Sequence, residues 1–507
     1  MGYQNRVESY WMTSTPATDY PALDEDARAD VAVVGAGIAG LCTAWQLALM
    51  GRSVIVVEAD RIVASTTGYT TGKLSAQHGL IYHRIRSSLG EATAKGYAAA
   101  QTAAIDWVGA VAAQLGIDCD LERLPAYTYV TDPDEVDKIR DEVDAAGAAG
   151  LLASFVTDTG LPYPVAGAIR VGDQAQFHPR RFLLGLAEDF VRRGGRIVER
   201  TRVLELTGDD PPVLRTEGGA TLTANDVVVA THWPIIDRIK VYTRMTPRRD
   251  FVVAGPLPAD RDPAGMYITA EDNIRSVRTA PYGDGQRLLI VTGETFRPGT
   301  ARASERLDRL VEWTQRYFPV DTRAYQWAAQ DHNTTDGIPY IGRMDEHLYV
   351  ATGFGGWGMT NGVVAGLVIP GLIDANPPPF ADLFDPGRLH PTAEAGGLLK
   401  GAVSTAVHAI ADRLRPRPDE QETGRVDEIL PGAGAVVRVG GEQRAVYRDE
   451  DGSLRAVSAT CTHMGCVVGF NDVERSWDCP CHGSRFGTDG AVLHGPAVRP
   501  LEAQPPE

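Results

Sequence analysis

Metal-binding side chains lie close together near the carboxyl end of the chain. Cys461 and His463 are separated by one residue, and Cys479 and His482 by two, so each of two short segments carries one thiol and one imidazole. Zinc fingers usually place both cysteines in one loop and both histidines in the other. The mixed pattern suits an iron–sulfur cluster with one cysteine-bound and one histidine-bound iron. Two further cysteines in these segments leave open a four-cysteine zinc site or a disulfide.

The segment "CTHMGCVVGFNDVERSWDCPCHGSRF" resembles the Rieske [2Fe-2S] domain, of the high-potential kind found in cytochrome bc complexes. The resemblance implies that Cys461 and Cys479 bind one iron and that His463 and His482 bind the other. It also implies that the histidine-bound iron lies nearest the surface, where it could pass electrons to an external acceptor.

Four other features of this segment follow from the same resemblance. Cys466 and Cys481 are expected to form a disulfide that joins the two loops. Ser484 is expected to donate a hydrogen bond to a cluster sulfur, and Pro496 to cover the cluster. The family's high-potential members usually carry tyrosine where this chain has Phe486, so one hydrogen bond to sulfur is missing and a lower potential is expected.

A dinucleotide-binding pattern lies near the amino end, in "DVAVVGAGIAGLCTAWQLALMGRSVIVVEAD". A short apolar strand precedes a G-x-G-x-x-G turn that opens a helix, and a second apolar run ends in an acidic residue. The glycines let the backbone approach a pyrophosphate at the positive end of the helix, and the acid can accept bonds from ribose hydroxyls. The motif alone does not separate FAD from NAD. The residues expected to bind the dinucleotide here are Gly35, Ala36, Gly37, Ile38, Ala39, Gly40, Glu58 and Ala59.

Later segments separate the two cofactors. The order of "GGRIVERTRVLEL", "ANDVVVATHW", "DGIPYIGR", "HLYVATG" and "GFGGWGMTNGVVAGLVIPGLI" resembles the D-amino-acid-oxidase-like flavoproteins, which include amine and amino-acid oxidases and dehydrogenases. The resemblance covers roughly residues 28 to 385. It implies bound FAD, with the last glycine-rich turn against the flavin. The additional residues expected to contact FAD are Val203, Ala230, Thr231, Gly353, Phe354, Gly355, Gly356, Gly358, Met359 and Thr360.

The stretch "TTGYTTGKLSAQHG" resembles a subgroup in which such a flavoprotein is fused to a carboxy-terminal Rieske domain. The resemblance implies that the loop passes beside the flavin ring, and it makes Lys73 a candidate for flavin contact and catalysis. His78 could link covalently to the flavin, but a buried, hydrogen-bonded histidine is the favoured interpretation. The other residues of this loop expected to contact FAD are Ser65, Thr66, Thr70, Thr71 and Gly72.

These resemblances define the expected fold class. A Rossmann-type α/β FAD-binding domain occupies residues 28–390, with an inserted α+β substrate domain in about 80–180 and 235–330. A helical connector and hinge occupy 391–424, and an all-β Rieske domain occupies 425–507. The connector carries an apolar stripe that predicts a one-faced helix. Its residues are Leu399, Val403, Val407, Ile410 and Leu414.

Composition narrows the possible partners. The chain has 507 residues, which is enough for two or three domains, and 43% of them are hydrophobic, as in globular proteins. A formal net charge of −17 argues against a nucleic-acid partner. The apolar run 361–373 is shorter than the roughly 20 residues that span a bilayer, so no membrane span is expected. With no secretory signal visible, we expect a cytoplasmic protein.

The substrate region gives weaker signals. Arg249, Arg275 and Arg278 could bind a substrate carboxylate through bidentate pairs, although structural or surface roles are favoured for each. His332 could face the flavin as a base. The candidate catalytic residues are therefore His332, Arg278 and Lys73.

Two classes of function fit these features. In the first, a small amine or amino acid reduces FAD by hydride transfer, and the cluster passes the electrons to an unidentified external acceptor, as in a dehydrogenase. In the second, the protein is an electron-transfer or redox-sensing module that receives its electrons from a partner. An intermediate possibility is a flavin monooxygenase or a dehydrogenase that acts on a non-amine substrate.

Overall fold

The computed structural model describes residues 8–283, 285–300, 302–389 and 425–506. The α-helices in these ranges are α1 (Tyr10–Thr13), α2 (Ile38–Leu49), α3 (Ile81–Leu89), α4 (Glu91–Leu115), α5 (Val136–Ala148), α6 (Pro179–Arg192), α7 (Ala303–Tyr317) and α8 (Gly358–Ile373). The strands are β1 (Ala27–Val34), β2 (Val54–Val57), β3 (Lys73–Leu74), β4 (Glu122–Val130), β5 (Ala153–Val156), β6 (Gly167–Gln176), β7 (Arg196–Val198), β8 (Val203–Thr207), β9 (Val213–Thr216), β10 (Thr221–Val229), β11 (Met245–Pro258), β12 (Met266–Thr269), β13 (Arg275–Pro281), β14 (Gln286–Phe296), β15 (Tyr325–Thr334), β16 (Tyr340–Asp345), β17 (Leu348–Thr352), β18 (Gly434–Val439), β19 (Glu442–Arg448), β20 (Leu454–Ser458), β21 (Gly469–Asn471), β22 (Ser476–Asp478), β23 (Arg485–Gly487), β24 (Val492–His494) and β25 (Ala503–Gln504).

The first sheet has eight strands and is built around β1, which lies between β10 and β2 and runs parallel to both. All four residues of β2 and the last four of β1 are buried, which is typical of parallel strands covered on both faces. The main path of strands is β16-β17-β10-β1-β2-β7. The carboxyl ends of β1, β2 and β10 therefore meet at one edge, where ligands of such sheets bind.

Helices α2 and α8 pack against each other beside this sheet through small residues on α8. A Cβ atom on Gly362 would lie 2.5 Å from the Ile38 side chain, and one on Gly366 would lie 2.6 Å from the Cys42 side chain. Only glycine allows this close approach. The packing brings the amino ends of the two helices together at the edge where the strands end.

The second sheet has nine strands, with the main order β15-β11-β14-β13-β12-β4-β6-β3 and β5 paired to β6. Its strands come from residues 73–176 and 245–334, on either side of a stretch that returns to the first sheet. The segments "RRDFVVAG" and "RLLIVTGE" belong to β11 and β14, which pair antiparallel. Together with the first sheet, this arrangement confirms the predicted Rossmann-type domain with an inserted α+β unit.

Residues 425–506 form a separate all-β unit. It contains two four-stranded sheets, with the orders β18-β19-β20-β25 and β21-β22-β23-β24, and all neighbouring strands within them pair antiparallel. This architecture confirms the fold predicted for the carboxyl end. The predicted helical stripe Leu399 to Leu414 lies outside the described residues. No helix in the described ranges is both long and apolar enough to cross a membrane.

The all-β unit packs closely on the larger unit. The side chain of Gln330 in β15 donates a hydrogen bond of 2.9 Å to the carbonyl oxygen of Gly483. At a second contact, a Cβ on Gly469 would lie 2.4 Å from the carbonyl oxygen of Gly299. Backbone therefore meets backbone across the interface, which leaves no room for a side chain at Gly469.

Candidate functional site

A cavity of about 780 Å³ is lined by residues of both large sheets and of the all-β unit. Most of the residues predicted to bind the dinucleotide line this cavity, and five do not. Those lining it are Gly35, Gly37, Ile38, Ala39, Glu58, Ala59, Ser65, Thr66, Thr70, Thr71, Val203, Ala230, Thr231, Phe354, Gly355, Gly356, Gly358 and Met359. Those outside its lining are Ala36, Gly40, Gly72, Gly353 and Thr360.

The glycine turn after β1 is held by contacts that exclude larger residues. Gly35 has a φ of 101°, and a Cβ there would lie 2.5 Å from the carbonyl oxygen of Ala230. A Cβ on Gly40 would lie 1.9 Å from the carbonyl oxygen of Gly35. The turn leads into α2 at Gly37, which has no side chain of its own to cap the helix. The positive end of α2 therefore faces the cavity.

Glu58 follows β2 at the same edge. One carboxylate oxygen accepts a 2.9 Å hydrogen bond from the Ala36 amide, and the other accepts one of 3.0 Å from the Asp60 amide. Burial raises the pKa of this carboxyl group. The two backbone bonds fix the carboxylate at the cavity wall, where it can still accept bonds from hydroxyl groups.

The loop between β2 and β3 is tied to its surroundings by two side chains. The hydroxyl of Thr67 accepts a 3.2 Å hydrogen bond from the Ile38 amide at the start of α2. The guanidinium of Arg278 donates to the carbonyl oxygens of Thr71 and Gly72 at 2.9 and 2.6 Å. Arg278 is 1% exposed and lies outside the cavity lining, so its place is behind this loop.

Lys73 lines the cavity at the end formed by the second sheet. Its amine donates a hydrogen bond of 3.2 Å to the carbonyl oxygen of Tyr267 and a second bond to the hydroxyl of Ser276. Burial, reinforced by the positive charge of Arg278, lowers the pKa of Lys73 to about 7. The amine is therefore poised to gain or lose a proton near neutral pH.

The glycine-rich turn before α8 forms another part of the wall. The amide of Gly355 donates to the carbonyl oxygen of His332 at 3.0 Å, and the amide of Gly356 donates to the Asp331 carboxylate at 2.6 Å. Both glycines have positive φ angles, which this path of the backbone requires. These bonds fix the turn to β15 and direct the positive end of α8 toward the cavity.

A polar network crosses from the first sheet to the all-β unit beside the cavity. His232 approaches the Asp331 carboxylate with one ring nitrogen at 3.2 Å and the ring of His494 with the other at 3.1 Å. The second nitrogen of His494 lies 3.3 Å from the Ser65 hydroxyl. The all-β unit thus supplies a side chain to the wall of the cavity.

The four predicted metal ligands come together in the all-β unit. Cys461 and Cys479 are buried and outside any disulfide, and the ring centroids of His463 and His482 lie 5.0 Å apart. Burial lowers the pKa of His482 to about 3, which favours the neutral imidazole that binds metals. The structure thus joins the two short loops into one site.

The other residues predicted to surround the cluster are the disulfide cysteines, Ser484, Pro496 and Phe486. The disulfide between Cys466 and Cys481 is present, which confirms that prediction. The Ser484 hydroxyl accepts a 3.1 Å hydrogen bond from the Ala497 amide. Pro496 and Phe486 are buried nearby, and Phe486 packs with the cysteines in one core cluster.

The two histidine ligands differ in exposure. His482 is only 3% exposed, because its ring packs against Trp233 and Tyr242 of the larger unit. His463 is half-buried, and the neighbouring Met464 is 50% exposed. The contact between the two units, which no local motif encodes, covers one histidine and leaves the other toward solvent.

Two family descriptions match the chain. The description "FAD dependent oxidoreductase" matches residues 30–369, and "Rieske [2Fe-2S] domain" matches residues 419–505. The chain belongs to the FAD-dependent oxidoreductases. Its carboxyl end is a Rieske domain.

Individual proteins support this assignment along nearly the whole chain. The putative Rieske 2Fe-2S iron-sulfur protein YhfW of Bacillus subtilis is 34% identical over 98% of this chain and 97% of its own length. Gamma-glutamylputrescine oxidoreductase of Escherichia coli is 25% identical over 80% of this chain and 99% of its own length. The crystal structure of glycine oxidase from Geobacillus kaustophilus has a TM-score of 0.60 at 22% identity, covering 72% of this chain and 99% of that chain.

The cavity fits the FAD that this family binds. The amino end of α2 begins at Gly37, which has no capping side chain, and offers backbone N–H groups for a pyrophosphate; the fixed Glu58 carboxylate can accept hydrogen bonds from ribose hydroxyls. The volume of about 780 Å³ lies within the usual range for small-molecule and cofactor sites. Residues from Gly35 to Met359 would therefore hold FAD along the cavity.

The carboxyl-terminal site fits a [2Fe-2S] cluster equally well. Two buried thiols lie beside two imidazoles, and Nδ1 of His482 is buried without a hydrogen-bond partner among the described residues. Such a nitrogen is costly unless it binds something, and a metal ion satisfies it. Cys461, Cys479, His463 and His482 would therefore hold the cluster.

The three arginines proposed for substrate binding are all engaged elsewhere. Arg278 holds the cavity loop, as described above. Arg249 pairs with Glu474 of the Rieske domain at 2.5 Å, and Arg275 pairs with Glu294 at 2.6 Å. These contacts favour structural roles for all three residues.

The two histidines of interest lie in different surroundings. The nitrogens of His78 lie 2.7 Å from the Tyr97 hydroxyl and 2.5 Å from the Ser75 carbonyl oxygen, which favours the hydrogen-bonded interpretation over a flavin link. His332 is fully buried and lies behind the cavity wall. Burial and nearby histidines hold its pKa well below the ordinary range.

Several residues that line the cavity were not assigned from the sequence. Tyr69, His232 and Trp357 lie within the quoted segments, Asp331 lies outside them, and His494 comes from the Rieske domain. His232 directly follows the predicted Thr231, so assigning one more residue of that segment would have found it. The position of His494 depends on the packing between the domains.

Proposed function

We propose that this protein oxidises a small amine or amino acid by hydride transfer to FAD, and that the electrons leave one at a time through the Rieske cluster to an acceptor outside the protein. The observation that carries the proposal is the cavity wall, which combines the dinucleotide turn, the substrate sheet and the Rieske domain. When bound, FAD accepts a hydride from the substrate and the [2Fe-2S] cluster carries single electrons.

Lys73 is the residue that we assign to proton transfer at the substrate end. An amine must be neutral to release a hydride, and most amines are protonated at neutral pH. With a pKa lowered to about 7, the Lys73 amine can take that proton and remain among its hydrogen-bond partners Tyr267 and Ser276. His332 is less suited, because it does not line the cavity.

The charges at this end support an amine as the substrate. Glu271 lines the cavity and is half-buried, with one carboxylate oxygen held by the Thr131 side chain at 2.8 Å. Its negative charge favours a cationic group, whereas Arg249 and Arg275 are paired with carboxylates and Arg278 donates to backbone carbonyl oxygens. Gamma-glutamylputrescine oxidoreductase, a relative over most of the chain, is named for an amine. We therefore place amines ahead of amino acids.

The Rieske domain supports a dehydrogenase rather than an oxidase. Its close packing on the cavity, through the Gln330 to Gly483 and Arg249 to Glu474 contacts, offers the electrons a route other than oxygen. Oxygen uptake should therefore be slow, and ferricyanide reduction fast, with the same substrate. Fast oxygen uptake with slow ferricyanide reduction would identify an oxidase.

The proposal is tested by adding candidate substrates to the purified protein without oxygen. Small diamines and monoamines should bleach the flavin absorbance near neutral pH, amino acids should do so less readily, and NADH should not. Bleaching by NADH alone would contradict the proposal and favour the electron-transfer module. Bleaching by a hydroxy acid but by no amine would contradict the amine assignment.

A further inference from the structure

Four rings form a continuous row from the wall of the flavin cavity to a ligand of the cluster. His232 lines the cavity, and its ring centroid lies 4.3 Å from that of His332. His332 lies 4.6 Å from Trp233, and Trp233 lies 5.1 Å from His482. Each ring is thus in packing contact with the next.

The two middle rings of this row are held rigidly. Trp233 is 1% exposed and lies in a core cluster with Val241, Met245 and Tyr340, and His332 is fully buried in β15. The backbone oxygen of His332 is also bonded to the glycine-rich turn, at Gly355. Close packing leaves no gap in which an electron must cross empty space.

The Rieske domain is fixed with His482 at the end of this row. The bond from Gln330 reaches Gly483, the residue after the ligand, and a Cβ on Gly483 would lie 2.6 Å from that same side chain. The guanidinium of Arg297 donates to the carbonyl oxygen of Pro480 at 2.6 Å, just before the ligand. Both sides of the His482 loop are therefore attached to the larger domain.

The other histidine ligand lies on the opposite side of this contact. His463 is half-buried, and the next residue, Met464, is 50% exposed. The Thr462 hydroxyl donates to the carbonyl oxygen of Arg499, within the Rieske domain itself. The loop that carries His463 thus presents a surface to solvent.

We propose that His332 and Trp233 form the electron bridge between the flavin cavity and His482, and that His463 is the ligand beside which an external one-electron acceptor docks. The inference rests on the proposed function for the source of the electrons. It assigns entry and exit to different histidines of one cluster. His332 and Trp233 act through His482, the ligand that Trp233 contacts, so they are positioning residues.

The electrons balance in two equal steps. Each substrate molecule delivers a hydride, and so two electrons, to the flavin side of the bridge. Each crossing of the bridge carries one electron and converts one ferric iron of the cluster to ferrous iron. Between crossings, a one-electron acceptor outside the protein must reoxidise that iron, and the proton left from each hydride passes to water.

The bridge is tested without any substrate, by reducing the flavin with light and following the cluster absorbance. Trp233→Leu should slow the appearance of reduced cluster about tenfold, in the range seen when residues around a metal site are replaced. Trp107→Leu removes a half-buried tryptophan on α4, away from the bridge, and should leave the rate unchanged. Trp233→Phe keeps an aromatic ring and should restore most of the rate.

A second readout separates a bridge from a general structural role. The potential of the cluster and the integrated intensity of its EPR signal should be the same in the wild-type protein and in Trp233→Leu. If Trp233→Leu does not fold, Trp233→Phe and His332→Leu are compared in its place, and the second should be the slower. A rate equal to that of the wild-type protein, with an intact EPR signal, would overturn the bridge.

The exit is tested from the oxidant side, with ferricyanide as the probe and dithionite-reduced protein. Met464→Glu places a negative charge beside His463 and should slow reoxidation about fivefold at low ionic strength, an effect that salt removes. Leu152→Glu, at a site 72% exposed on the larger domain, should change nothing. An equal effect of both variants, or slower light-driven cluster reduction in Met464→Glu, would overturn the exit assignment.

The outcomes distinguish this inference from the proposed function. If light reduces the flavin and then the cluster, but no amine bleaches the flavin, the electron bridge is supported and the proposed substrate class is wrong. If amines bleach the flavin and the cluster never becomes reduced, the bridge fails and the hydride step stands.

Discussion

The two redox sites of this protein are built in opposite ways. The cluster site is local: its four ligands lie in two loops between Cys461 and His482, and a disulfide joins those loops. The flavin cavity is distributed: the residues of its wall range from Val34 to Val498 and come from both sheets of the larger domain and from the Rieske domain. A local site depends on its own loops, whereas a distributed site depends on how the domains pack.

This difference predicts an asymmetry between the two cofactors. Damage inside the Rieske loops should remove the cluster and leave the flavin bound, because the Rieske core contains no residue of the Rossmann core. Damage at the interface should weaken flavin binding, because Glu474, Arg485 and His494 of the Rieske domain line the flavin cavity.

The largest effect is expected from His463→Ala, which removes one of four cluster ligands. The protein should lose the cluster completely, because a half-ligated iron is not retained, and should keep its full content of FAD. Iron analysis and the EPR spectrum measure the cluster content, and the FAD released on heating measures the flavin content. His347→Ala, at a half-buried histidine paired with Asp226, should retain both cofactors. Loss of FAD together with iron would show that the sites are not independent.

Arg249→Met should affect the interface next. Arg249 is 1% exposed and paired with Glu474 across the domains, and removing one partner of a buried pair costs about 3 kcal/mol. We expect a lower melting temperature and faster release of FAD on gel filtration. Arg192→Met, at an exposed arginine whose partner Asp189 also pairs with Arg193, should cost less than about 1 kcal/mol. Equal effects of the two variants would argue against a shared cavity wall.

Lys73→Met tests the substrate end of the distributed site. Protonated Lys73 cannot accept a proton, so the rate of flavin reduction should rise as pH increases through about 7, the lowered pKa of this amine. The variant should be about 100-fold slower at pH 8 and should lose this rise. Lys95→Met, at an exposed lysine paired with Glu91, is the control and should keep the wild-type profile.

The same lysine gives a stability readout with a defined sign. Because burial lowers the pKa of folded Lys73 from its ordinary value of 10.5 to about 7, the unfolded chain binds more protons between these values. The Lys73 contribution to the free energy of unfolding therefore increases from pH 7 to pH 10. That increase should be smaller in Lys73→Met, as measured by chemical denaturation at both pH values.

The smallest effect is expected inside the local site, from Phe486→Tyr. Phe486 is fully buried in the core that contains the cluster cysteines. A new hydroxyl bond to sulfur, worth about 1 kcal/mol, corresponds to about 40 mV for one electron. Protein-film voltammetry should therefore show a higher cluster potential. A potential that falls or stays constant would mean that residue 486 does not reach the cluster.

The same contrast explains what the sequence could predict. The Rieske ligands and the turn at Gly35 could be predicted because each is a short pattern whose geometry is fixed by neighbours in the chain. The fold class followed from the order of such patterns. The burial of His482 could not be predicted, because it depends on Trp233, which is distant in sequence. Likewise, the sequence left both a structural and a substrate-binding role open for Arg278, and its contacts with the cavity loop depend on packing that the sequence alone does not specify.

The central claim is that electrons pass from the flavin in the distributed site to the cluster in the local site. It is tested most directly by rapid mixing of the oxidised protein with an amine that bleaches the flavin, without oxygen, while both absorbances are followed. The account predicts that the flavin bleaches first and that the cluster is reduced afterwards, with no cluster reduction in protein from which FAD has been removed. A cluster that is reduced before the flavin, or at full rate without FAD, would contradict it.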